Sequence, residues 1–89
     1  MNAHELLQSL VQIHPDRMER LTGPLGKSAD SVQGFIDQLS DLHCNMAIAN
    51  GKSGYVGNPY ERLEEDCAIL LAASEQITGL RSRFPWQRT

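Results

Sequence analysis

No stretch of the sequence approaches the roughly 20 apolar residues that crossing a bilayer requires. The longest apolar run, residues 68–73, is bounded by Glu65 and Asp66 before it and Glu75 after it. The N-terminus, Met1-Asn2-Ala3-His4-Glu5, has no cationic region ahead of a long apolar one. A secretory signal and a membrane partner are therefore not expected. Cysteine is scarce: Cys44 and Cys67 stand far apart, form no CxxC and fall in apolar-patterned segments. That fits reduced residues in or near the core of a cytoplasmic protein better than a disulfide framework. Positive charge is scarce too. Eight Lys plus Arg against eleven Asp plus Glu give a net charge of −3, whereas nucleic-acid binders usually show a basic patch. The one local cationic cluster is Arg81, Arg83 and Arg88.

Signals for catalysis are thin as well. At 89 residues the chain has room for one small domain with a modest core, and none for a two-domain enzyme. His4, His14 and His43 lack the spacing of a zinc site, so neither a metal nor a cofactor is expected. No nucleophile elbow occurs. Gly51-Lys52-Ser53 resembles the end of a phosphate-binding loop, but the glycine that should stand upstream is missing, with Met at position 46. Glu61, Glu64, Glu65 and Asp66 read as acids favoured by the dipole at a helix start rather than as acid–base chemistry.

What is present is periodicity. Leu6, Leu7, Leu10 and Ile13 predict a first helix over residues 3–13, ended at His14-Pro15. Pro15 suits the start of a second helix, placed at about 15–23 because Gly23-Pro24 should stop it before a tight turn through Gly26. Ser28 reads as an N-cap for a third helix with an apolar stripe of Val32, Phe35, Ile36, Leu39 and Leu42. The period then changes. Cys44, Met46 and Ile48 alternate with Asn45, Ala47 and Ala49 in the pattern of a half-buried strand. Asn50-Gly51 signals a hairpin, with Tyr55 and Val56 returning as a short second strand and Gly57-Asn58-Pro59 breaking it. A fourth helix starts near Tyr60 and ends at Gly79. The predicted fold class is mostly α with a small β-hairpin: a winged helix-turn-helix (residues 1–60), an additional C-terminal helix (61–80) and a tail or arm (81–89).

The run Leu25-Gly26-Lys27-Ser28-Ala29-Asp30-Ser31-Val32, continued by Phe35, Ile36, Leu39 and Leu42, resembles the turn and recognition helix of the biotin-repressor type of winged helix domain. Gly51-Lys52-Ser53-Gly54-Tyr55 is similar to its wing, with Ser53 as an extra residue. The resemblance covers about residues 5–60. It implies duplex DNA as partner, read by the outward face of the third helix through Ala29, Asp30, Gln33, Gly34 and Asp37. Gln33 would address adenine edges and Ser28 and Ser31 phosphates. Lys27, Lys52 and Ser53 join this set, with Arg17 and Arg20 as backbone clamps whose local alternatives are Asp16 and Glu19. Asp30 and Asp37 depart from the pattern, since each would face polyanionic DNA.

The fourth helix carries Leu63, Cys67, Leu70, Leu71, Ser74 and Ile77 on one side, more apolar surface than a simple cap requires. A homodimer through this face is the expectation, and completion of the monomer's own core is the alternative. Arg81, Arg83, Phe84 and Trp86 form an arm suited to a partner subunit or partner protein. The leading expectation is a small non-enzymatic, DNA-binding transcriptional regulator, of the kind carried by a mobile element or phage. The alternative is a protein–protein interaction module that inhibits or adapts another regulator and does not itself bind DNA.

Overall fold

Asn2 opens the first helix through a reciprocal cap: its side chain accepts from the Glu5 amide at 2.8 Å, and the Glu5 carboxylate accepts from the Asn2 amide at 3.1 Å. A computed structural model describes residues 1–25 and 30–81, and places four helices in them. They are α1 (Ala3–Ile13), α2 (Pro15–Leu25), α3 (Val32–Ser53) and α4 (Pro59–Thr78). Only His14 separates α1 from α2, and Pro15 starts the new helix at a position where its missing N–H costs nothing. Pro24 does not end α2, which runs on to Leu25, a residue packed against the core. The N-cap of α3 is Ser31, whose hydroxyl accepts from the Gly34 amide at 3.0 Å. Ser28, expected in that role, lies outside the described residues.

Among the described residues there is no β-strand, so the predicted hairpin and the winged helix-turn-helix architecture are overturned. Residues 44–49 and the Asn50-Gly51 pair continue α3, which ends only at Gly54 with a left-handed φ of 72°. Six alternating residues satisfy a strand and a helix equally. Ala47 and Ala49 favour the helix, and Leu39, Leu42 and Met46 already continue the helical stripe onto the core. Tyr55 and Val56 lie in the turn that follows, not in a returning strand.

α3 and α4 form an antiparallel helical hairpin, the most extensive contact in the fold, and α1 and α2 pack across α4. The core is Leu6 and Leu10 of α1, Met18 and Leu21 of α2, Phe35, Ile36, Leu39 and Leu42 of α3, and Cys67, Leu70 and Leu71 of α4. Each such side chain stabilises the fold by about 1.5–3 kcal/mol through burial. No helix in the described residues is long and apolar enough to cross a membrane.

Candidate functional site

The residues expected to read DNA do not converge. Gln33 and Lys52 sit on the same helix, α3, about 28 Å apart at the rise of an α-helix. Gln33 donates to the Asp37 carboxylate at 3.1 Å and to the Arg81 carbonyl at 3.2 Å, tying the start of α3 to the segment after α4. Ser31 is taken up by its cap, and the Ser53 hydroxyl donates to the Asn50 carbonyl at 2.9 Å. Lys52 is exposed in the last turn of α3. Asp30 is exposed and Gly34 half-buried. Lys27, Ser28 and Ala29 lie outside the described residues, as do Arg83, Phe84 and Trp86.

Arg17 and Arg20 are turned to another purpose. Asp66, 2% exposed, accepts two hydrogen bonds from Arg20, at 2.8 Å from Nε and 3.0 Å from an Nη. Arg17 Nε stands 3.6 Å from the same carboxylate, with Glu65 4.0 Å from its outer nitrogen. The hydrogen bond from Arg20 to Asp66 holds the guanidinium pKa above its usual value, against the opposing effect of desolvation. Both arginines fasten α2 to α4. Asp66 therefore does not belong with the acids of the helix start, where Glu61 alone occupies the first turn.

The face of α4 expected to pair two copies is enclosed within one. Cys67, Leu70, Leu71 and Ser74 are buried in the monomer, and Leu63 and Ile77 pack against its core. Both cysteines are free. Burial, with Asp66 and Glu64 adding to it, pushes the Cys67 thiol up to about 12, so it behaves as a core residue. No group of His, Cys, Asp and Glu among the described residues is placed to hold a metal ion.

Exposed apolar side chains occur at Met1, Val11, Ile13 and Leu80, and again around the turn between α3 and α4. Val56 is 91% exposed, Tyr55 62% and Tyr60 42%, with Ile48 exposed towards the end of α3. The turn that carries Tyr55 and Val56 is not slack. Asn58, 2% exposed, uses both ends of its amide. Its Nδ2 donates to Asn50 Oδ1 at 2.7 Å and to the Tyr55 carbonyl at 2.8 Å. Its Oδ1 accepts from the Tyr60 and Glu61 amides at 3.0 and 3.2 Å, capping α4 ahead of Pro59. Glu61 in turn accepts from the Gly57 amide at 2.8 Å, and Asn50 Nδ2 donates to Glu64 at 3.0 Å. Gly54 and Gly57 both take positive φ, 72° and 85°, which lets the chain reverse in so few residues. The backbone on both sides of Tyr55 and Val56 is thus fixed, and their side chains project from it.

From sequence Asn50 and Asn58 read only as turn and strand-breaking residues, not as a hydrogen-bonded pair. A usable signal existed, because Asn before Pro is the pattern of an N-cap with proline at the first helical position.

His43 faces α4 from α3, and burial lowers its pKa below the usual 6.5, opposed by the charge of Glu64. A histidine held neutral in the fold binds fewer protons than it does unfolded. Its contribution is complete above pH 6.5 and is lost as pH falls towards the depressed folded value. Urea midpoints are expected to drop on that acidic side, and His43→Gln to flatten the drop. An unchanged pH profile in the variant would exclude His43 as its source.

No protein family matches the sequence, and neither a curated protein nor a solved structure is significantly similar to it.

Proposed function

We propose that the chain is a non-catalytic helical module that acts by binding another protein, with the turn between α3 and α4 as its anchor. The supporting observation is the pinned presentation of Tyr55 and Val56. Two adjacent apolar side chains held in solvent by a hydrogen-bonded backbone lose little entropy when a partner covers them. Tyrosine is a preferred anchor at such contacts. The charge distribution favours this reading over DNA binding. Arg17 and Arg20, expected as phosphate clamps, are engaged with Asp66, and the start of α4 next to the turn carries Glu61, Glu64 and Glu65.

A DNA titration and an affinity capture separate the readings. Mixed-sequence duplex DNA at low salt should show no saturable binding. Affinity capture with the wild-type chain should retain a protein that Val56→Asp loses. A DNA affinity with a steep salt slope, weakened by Lys52→Ala, would overturn the proposal.

A further inference from the structure

The turn has a candidate occupant in the chain itself. Past Arg81 the sequence continues Ser82-Arg83-Phe84-Pro85-Trp86, with no acid after Glu75. This segment is cationic and aromatic. The surface beside Tyr55 and Val56 carries three acids, Glu61, Glu64 and Glu65, against two cations, Lys52 and Arg62. The two chemistries are complementary, but one copy cannot bring them together. The Arg81 carbonyl is held by Gln33 near the start of α3, while Tyr55 and Val56 lie beyond its end. From Gln33 to Ser53 the helix rises about 30 Å. From Arg81 to Trp86 a fully extended chain spans about 18 Å.

We propose that two copies associate about a two-fold axis, with residues 83–86 of each copy covering the turn that carries Tyr55 and Val56 on the other. This rests on the reading of the turn as a protein-binding surface. An antiparallel pairing of the two α4 helices satisfies the geometry. It sets Arg81 of one copy beside the start of the other's α4, and its arm beside the other's turn. The outward face between these ends has the exposed Ala68 and Ala72 at its centre, flanked by Glu65, Ile69 and Gln76. The contact is reciprocal, so it closes at two copies.

Sedimentation equilibrium on the full-length chain tests this. The wild type should be a dimer that weakens with added salt, since Arg83 meets carboxylates. Val56→Asp, which spoils the turn, and the double variant Phe84→Ser/Trp86→Ser, which spoils the arm, should each dimerise at least roughly thirtyfold more weakly. Circular dichroism should show unchanged helix content in both. Mixing the two variants should restore association above either alone, because one intact arm then meets one intact turn. The proposal is overturned by a monomeric wild type, by variants that dimerise as the wild type does, or by open chains growing past two copies. A monomeric wild type removes the arm exchange alone. The protein-binding reading of the turn falls separately, if Val56→Asp captures an outside partner as well as the wild type.

Discussion

Asn58→Ala is expected to lower stability by about 3 kcal/mol and to release the turn it organises. The cap on α4 accounts for about 1 kcal/mol of this. The rest follows from Asn50 Oδ1 and the Tyr55 carbonyl, which lose their donor in a part-buried place at roughly 1 kcal/mol each. Against a total of roughly 5–15 kcal/mol for an ordinary domain, that is a large fraction. Asn58→Asp divides the effect: it keeps the acceptor for the Tyr60 and Glu61 amides but sets a carboxylate oxygen against Asn50 Oδ1 and the Tyr55 carbonyl, so it should recover no more than the capping share. Urea denaturation measures both variants, and hydrogen exchange at Tyr55 and Val56 reports the turn. An alanine variant as stable as the wild type would show that the turn is not held through Asn58.

The second large effect is expected at Asp66. Removing this carboxylate leaves Arg17 and Arg20 without their common partner and opens a small void beside Cys67. Fully buried pairs lose about 3–5 kcal/mol when one member is removed. Here both arginine side chains are about one-third exposed and can turn to water, so Asp66→Ala should cost about 2 kcal/mol. Replacing all three together, Asp66→Leu with Arg17→Met and Arg20→Met, should recover most of the loss, because no charge is then left unpaired. Thermal melts of the single and triple variants distinguish pairing from packing. If the triple variant is as weak as Asp66→Ala, the ion pairs are not the source.

These two residues also mark where the sequence could be read and where it could not. α1 spans residues 3–13 as its apolar spacing requires, and Gly79 ends α4 with a left-handed φ of 74°. The stripe Phe35, Ile36, Leu39 and Leu42 is core, as expected of an amphipathic helix. Residues 44–53 were misread because the alternation there is too short to separate period two from period 3.6. Asn-Gly also favours a hairpin only when strands flank it. Read as a hairpin, that stretch forms a wing; as the end of α3, it sets Lys52 far from Gln33. The pairing of Arg20 with Asp66 spans 46 positions. Nothing local announces it, since Glu64, Glu65 and Asp66 look alike in sequence and only the helical phase turns Asp66 inward. The exposure of Tyr55 and Val56 is hidden for a related reason: apolar residues after a presumed Asn50-Gly51 turn read as a strand until α3 is known to run through that pair to Ser53.

On the proposed function this turn, and not a DNA-reading helix, is the working surface. The most direct measurement compares Val56→Asp with a control charge placed on the exposed face of α1, Gln12→Asp, in affinity capture at matched melting temperature. The control is expected to retain the wild-type partner and Val56→Asp to lose it, with both variants folded. Equal retention by the two would contradict it.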